Sequence, residues 1–280
     1  MHVHDNLHRG DAHSWLGIHS ELLQGLVIIS TIASATRALL PRIQLQHSSV
    51  HEFCTVYQGQ MNARAVTLVE VSGGLYEVER CIHALDYSFN EHYYRGGRQV
   101  GIRASLSIIH IGRGLPLLTE DSGPEIVLAS VAIGFDNLIH FYQYESNADE
   151  MLLLQQFEMH TMCKSLQPYI TSGSLRLLNQ FSPHFGHGIA LSLPGYFALR
   201  HSFLPHTFPN LAEKIRDFTF GKLVCTHEDP LAAALYGICR GLHHACISIS
   251  VPEADTNKNL PKHPMYDLLA SHIVQIAAQL

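Results

Sequence analysis

Twenty-one histidines and six cysteines in a chain of 280 residues are the first side chains to consider for metal binding or redox chemistry. His2/His4, His184/His187 and His243/His244 could each offer two imidazoles to a metal. None is joined by a nearby carboxylate or cysteine at a recognised ligand spacing, so no metal site is expected. Cys54, Cys81, Cys163, Cys225, Cys239 and Cys246 lie far apart, mostly in apolar segments, and form no Cys-x-x-Cys pair. They read as buried thiols rather than disulfides. A third candidate begins at Ala104, where the apolar run SLSIIHI stops at a glycine turn, a loop follows, and a second apolar run opens into GFDNLIHFY. In an α/β chain such strand ends form ligand clefts, because backbone donors are left free at the mouth of a parallel sheet.

The elements that must position these residues alternate. Apolar runs with strand character recur at Leu26–Ile32, Ala65–Val71, Ser105–Ile111, Glu125–Val131, Gly188–Leu193 and Ala245–Val251. Helical patterns fall between several of them. Val78, Cys81, Ile82 and Leu85 follow i, i+3, i+4, i+7 spacing, which predicts a helix over Tyr76–Leu85 with one buried face. Met151–Leu166, Asn210–Phe218, Leu231–Leu242 and Pro264–Leu280 read similarly. Breaks at Ser72-Gly73-Gly74, Ser122-Gly123-Pro124, Ser172-Gly173 and Pro194-Gly195 are too short to be linkers. The expectation is a single α/β domain over 1–280.

Composition narrows the function classes. Hydrophobic residues make up 46% of the chain, enough for a full core, and the formal net charge is −6 with 15% charged residues. Such a balance gives no general attraction to nucleic acid or anionic lipid. The longest apolar runs are interrupted, as Leu22–Ile32 is by Gln24, Gly25, Ser30 and Thr31, so no membrane span is expected. The first residues carry no targeting pattern, which makes an intracellular protein the expectation, cytoplasmic by default with an organelle not excluded.

Order and spacing from about Trp15 onward resemble the nucleoside phosphorylases, in the uridine-phosphorylase branch. SLPGYFALR (Ser192–Arg200) is similar to the family's base-binding segment, S-x-P-G-F-Y-x-P-Q-G-R. IIHIGRG (Ile108–Gly114) sits where the family has I-R-I-G-T-[ST]-G, and GFDNLIHFYQ follows where relatives carry G-x-D-x-L-x-x-[FY]-Y. The stretch from Phe208 to Val251 resembles the family's helix, ribose-binding strand, long helix and last core strand. The resemblance implies a three-layer α/β/α sandwich with a mixed central sheet. It also implies dimers, larger assemblies of them, and cleavage of a nucleoside by phosphate to base and ribose 1-phosphate.

Phosphorolysis needs cationic and backbone donors around phosphate, a carboxylate on the ribose hydroxyls, and polar groups on the departing base. No cofactor is needed, inorganic phosphate being the co-substrate. Carried over by resemblance, the phosphate ligands would be Arg37, His51, His110 and Arg113, the ribose ligands Glu228 and Asp229, and the base contacts Phe197 and Arg200. Most positions depart from the family. Its G-D-P-G-R loop becomes Ala33-Ser34-Ala35-Thr36-Arg37, keeping the arginine and losing the glycines whose missing Cβ lets backbone approach a ligand. Two arginines become His51 and His110, exchanging permanent cations for titratable rings, while Arg113 replaces a threonine. E-M-E becomes Glu228-Asp229-Pro230, and Asp229 stands one residue off on an extended segment. The family's glutamine and arginine at the base fall on Arg200 and Ser202, and its Asn-Arg pair after the last strand is Ala254-Asp255. The family's N-terminal histidine motif falls near Trp15–Gly17, flanked by His13 and His19.

Each survivor has a plainer role open to it: a surface ion pair for Arg37, an N-terminal helix position for Glu228. No residue is assigned as catalytic. Two functional expectations stand. One is a catalytically degenerate protein serving as a structural or regulatory subunit, in a homodimer, beside a related subunit, or in a larger assembly. The other is an active uridine-phosphorylase-like enzyme with rearranged ligands; a nucleoside- or phosphate-sensing module is a lesser third.

Overall fold

The computed structural model describes residues 16, 18, 25–72, 74–90, 104–116, 126–142, 144–192, 210–218, 223–227, 231–252 and 264–280. Their contacts divide the chain into two compact units that interleave in sequence. The first draws on Met1–His110, Leu242–His244 and Lys262–Leu280, the second on Ile111–Gly241 and Ala245–Pro261.

In the first unit, β1 (Leu26–Ser30) is buried along its whole length and runs parallel to β4 (Arg64–Val71). An antiparallel meander extends the sheet: β3 (Cys54–Met61) pairs with β4, and β2 (Gln44–Val50) pairs with β3. Gly59 is where β2 crosses closest, since a Cβ there would run into the Gln44 carbonyl. Helix α1 (Ala33–Leu39) follows β1, and α2 (Leu75–Phe89) buries the predicted stripe Val78, Cys81, Ile82 and Leu85. Helix α7 (Pro264–Ala277) packs on α1, burying Leu269, Ile273 and Ile276. Strand β5 (Ser107–Pro116) enters beside β1.

A buried polar cluster closes α2. Asn90 accepts the Ala104 N–H at 2.8 Å and donates to Asp86 Oδ1 at 2.9 Å. The Leu106 N–H donates to His244 Nδ1 at 3.1 Å, which leaves the ring proton on Nε2, facing Asp86 Oδ1 at 3.1 Å off the line of a good hydrogen bond.

In the second unit, β6 (Val127–Gly134) pairs with three strands. Parallel β8 (Gly186–Ser192) takes one edge, while antiparallel β10 (Ala245–Pro252) and β7 (Tyr169–Ser172) share the other, β10 along Val127–Ala129 and β7 along Val131–Gly134. Strand β9 (Leu223–His227) runs parallel to β8, and Leu115 and Pro116 of β5 pair with it. Helix α6 (Leu231–Gly241) packs on β6, β7, β8 and β10. Its Tyr236 hydroxyl, wholly inside, donates to the Ala129 carbonyl and accepts the Ser248 N–H. Helices α3 (Ala148–Thr161), α4 (Leu175–Phe181) and α5 (Leu211–Phe218) complete the unit, with Phe157 of α3 edge-on to Phe218 of α5.

Three readings shift. The helix expected over Met151–Leu166 ends at Thr161, because Met162 takes the left-handed conformation that terminates a helix. Its start moves back to Ala148, where Asn147 and Glu150 form a reciprocal capping box. The β2–β3 hairpin, β7, α1 and α4 carried no periodicity: β2 is mostly exposed, and β3 spends core positions on Gln58 and Gly59. Among the described residues, no helix is long and apolar enough to cross a membrane, and no group of three or more His, Cys, Asp or Glu is placed to hold a metal ion.

Glu150 also fastens α3 to α6. Its carboxylate receives both terminal nitrogens of Arg240 at 2.8 and 2.9 Å, the Ser172 hydroxyl at 2.6 Å and the Asn147 N–H at 3.0 Å. Burial pushes its pKa up, but these bonds outweigh burial and hold it below the usual 4.5. A depressed carboxyl stabilises the fold above the unfolded-state pKa and loses that contribution as pH falls through the folded value. Glu150→Gln is therefore expected to lower stability at neutral pH by about 2–4 kcal/mol, discounted because Arg240 keeps 35% exposure. The wild-type advantage should fade in denaturant titrations carried below about pH 4.5. His244→Ala, which strands the buried Leu106 N–H, should cost about 1–3 kcal/mol in the same titrations at neutral pH.

Candidate functional site

Three parallel strands of the second unit end together. The β6–β8 register sets Gly134 beside Ser192, and the β8–β9 register sets Ser192 beside His227. Beyond these ends lie GFDN, the SLPGYFALR segment and Glu228-Asp229-Pro230, so the three stretches singled out in sequence leave from one edge of the sheet. The Phe135 N–H donates to the Ser192 carbonyl at 3.2 Å, carrying the ladder one step past β6. Ser192 is buried and its hydroxyl lies 3.4 Å from the Ala233 N–H in the first turns of α6. This is the topology in which an α/β sheet opens a ligand crevice.

The Gly-Phe-Asp turn has a structural reason for its composition. Tyr169 of β7 lays its ring against Gly134, where any Cβ would collide with it, and its hydroxyl donates to Asp136 Oδ1 at 2.6 Å. The same oxygen accepts the Leu138 N–H at 2.9 Å, and Asn137 takes φ 60°, a conformation its short amide tolerates. Burial, then the Asp136 charge, push the Tyr169 phenol far above its usual range, so it remains a donor. The second oxygen, Asp136 Oδ2, is shielded from solvent without a hydrogen-bond partner. Asp136 belonged to a motif noticed in sequence; Tyr169, on a four-residue strand, gave no signal at all.

The remaining assignments disperse. Phe197, Arg200, Glu228 and Asp229 lie outside the described residues, as do Ser202 and Asp255. Arg37 is exposed in the last turn of α1 and donates to Ser34 of its own helix at 3.2 Å. The stretch Ala33–Arg37 is thus helix rather than an open loop, and Ser30 Oγ at the end of β1 accepts the Ile32 N–H that precedes it. His51 is half-buried in the β2–β3 turn. Its Nε2 stands 3.2 Å from Ser49 Oγ, which donates onward to the Leu16 carbonyl at 2.7 Å. His110 is wholly buried on β5, where an imidazole can stay neutral and an unpaired guanidinium could not. Arg113 is exposed, three residues along the same strand, and strand alternation turns an odd spacing to the opposite face.

No protein-family model matches the sequence. No curated protein sequence matches it either. Solved structures do. A nucleoside phosphorylase of Trypanosoma brucei that shows uridine phosphorylase activity superposes with a TM-score of 0.71 at 13% identity, over 93% of this chain and 94% of that one. Uridine phosphorylase from Vibrio fischeri gives 0.64 at 14% identity, over 94% and 95%. The Streptococcus pneumoniae MTA/SAH nucleosidase gives 0.52 at 14% identity, over 91% and 99%. At these identities the likeness is one of fold: the chain has the nucleoside phosphorylase/nucleosidase fold, the mixed-sheet α/β architecture that the sequence resemblance implied.

Gly134→Ala should destabilise the protein by about 1–3 kcal/mol through collision with Tyr169. Tyr169→Phe, which leaves Asp136 short of a donor, should cost about 1–3 kcal/mol. Both are read from denaturation midpoints at neutral pH.

Proposed function

We propose that this chain is a catalytically degenerate member of the nucleoside-phosphorylase fold, serving as a structural or regulatory subunit of a dimer or larger assembly. The observation that carries the reading is the condition of the phosphate loop. Its counterpart Ala33–Arg37 is helical, bears a side chain at every position, and puts its one arginine in the last turn. Helix carbonyls point outward there, an environment that suits a cation and repels phosphate. His110 supports the same reading, since a wholly buried imidazole does not supply the permanent cation that the resemblance implies at this position. Losing one transition-state donor commonly costs on the order of 3 kcal/mol, so several such changes together would remove most turnover.

A second reading is favoured by one observation, the shared edge where β6, β8 and β9 end. In it the chain is an active uridine-phosphorylase-like enzyme using inorganic phosphate. Arg37, Arg113 and the two histidines His51 and His110 would serve the phosphate, Glu228 and Asp229 the ribose, and Phe197 and Arg200 the base.

Phosphate-dependent release of base from uridine, thymidine, inosine and methylthioadenosine separates the two. No release is expected at about pH 6 or about pH 8, the lower value allowing protonated imidazoles to act as cations. Turnover at either pH above a no-enzyme control overturns the first reading, and its loss in Arg37→Ala would establish the second. Under the first reading, native mass measurement from cell extract should find the chain bound to another subunit.

A further inference from the structure

Helix α3 carries apolar side chains on two faces, and the fold buries only one. Phe157 and Thr161 turn inward where the helix packs on β7 and α5, with Leu153 and Leu154 partly covered beside them. On the other side Met151 and Leu152 are each 55% exposed and Met159 63%, and Met162, in the cap that ends the helix, is 71% exposed. At 3.6 residues per turn Met151, Leu152, Gln155 and Met159 fall within about 100° of one another, a single stripe with no charge in it. Its backbone is pinned by the Asn147–Glu150 capping box and by Arg240, so the stripe is a preformed surface. Exposed apolar side chains gathered in one row mark a place of contact, and methionine adapts readily to a facing surface.

We propose that this stripe is a self-complementary interface, on which α3 of a second copy of the chain packs antiparallel about a two-fold axis passing near Gln155. Charge complementarity is what selects a second copy. Met151 and Met159 each stand four residues from Gln155, so the one meets the other across the axis. Asp149 and His160, both exposed, lie six and five residues out on the same flank of the stripe. Antiparallel helices bring like flanks together, which sets the carboxylate of one copy against the imidazole of the other. Beyond the two helix ends, exposed Glu145 and Lys164 stand ten and nine residues from Gln155 and meet as acid to base. Parallel packing would instead oppose Glu145 to Glu145 and Lys164 to Lys164. The antiparallel arrangement also lays each positive helix end beside a negative one.

A lipid surface fits this face poorly. Helices that lie on membranes border their apolar side with Lys and Arg, whereas Glu145 and Asp149 head this one and the chain carries a formal charge of −6. The inference rests on the reading of the chain as a subunit only as far as assembly. Phosphorolysis, found or not, leaves it untouched.

The test measures the assembled mass of the full-length chain by sedimentation equilibrium. A concentration-dependent dimer, or a larger assembly of such pairs, is expected for the wild type. Met159→Glu should weaken self-association about tenfold or more and halve the assembled mass, with the melting curve of the dissociated chain still cooperative. Met151→Lys together with Met159→Glu in one chain should restore pairing, because each new cation then faces the other copy's new carboxylate. Mild oxidation should link Gln155→Cys chains covalently to one another. Asp149→Cys, whose copies stand roughly 18 Å apart along the pair, should not link. A monomeric wild type, a mass unaltered by Met159→Glu, or no link through Gln155→Cys would overturn the proposal. So would binding of the wild type to phosphatidylserine vesicles that Met159→Glu abolishes. A chain that is monomeric alone yet bound to a different protein in cell extract would sink this self-pairing and leave the subunit reading in place.

Discussion

Strand β6 hydrogen-bonds to three others, and that demand places most of the second unit. A buried strand must satisfy its N–H and C=O groups along both edges. Here one edge is met by β8 along its length and the other by β10 and β7 in succession. A parallel neighbour requires a long crossover, whereas the antiparallel ones can return directly. The carboxyl ends of β6 and β8 are therefore adjacent, and β9 joins them by pairing in parallel on the far side of β8. Helix α6 covers four of these strands with a face of alanines, Leu235, Ile238 and Cys239, and the only hydroxyl it sends inward, that of Tyr236, is satisfied by backbone groups of β6 and β10.

Polar side chains in both units serve architecture where chemistry might have been sought. Glu150 caps α3 and receives Arg240 in the same two oxygens, so the helix terminus and the ion pair depend on each other. Asp136 ends a strand motif that resembles a ligand-site segment, yet one of its oxygens is occupied by Tyr169 and by the turn it closes. His244 stands beside Asp86 in the manner of a catalytic base, but its Nδ1 accepts a backbone N–H, and both the ring and the carboxylate are buried. Such groups are costly to bury without partners and cooperative when fully bonded, which suits them to fixing one arrangement of the chain.

Much of the fold was legible because burial leaves periodic traces. Six apolar runs became β1, β4, β5, β6, β8 and β10, and the stripe of Val78, Cys81, Ile82 and Leu85 faces inward as its spacing requires. What escaped had no trace to leave. The hairpin strand β2 is exposed, α1 is built of small and polar residues, and Met162 ended α3 through a backbone angle that its identity does not announce. The candidate site was legible only as segments. Order along the chain named GFDN, SLPGYFALR and the Glu228 stretch, but no local pattern could say that the first two share a hydrogen bond between Phe135 and Ser192.

By itself the sequence determined the α/β class, the buried strands and the kinship of architecture with nucleoside phosphorylases, because hydrophobic spacing and element order are written locally along the chain. Only the tertiary structure decided that Arg37 stands in the last turn of a helix, that His110 lies in the core, and that Tyr169 occupies Asp136. Those are relations between residues up to 33 positions apart, as Tyr169 is from Asp136, and they arise from strand register and helix packing, which no single segment specifies.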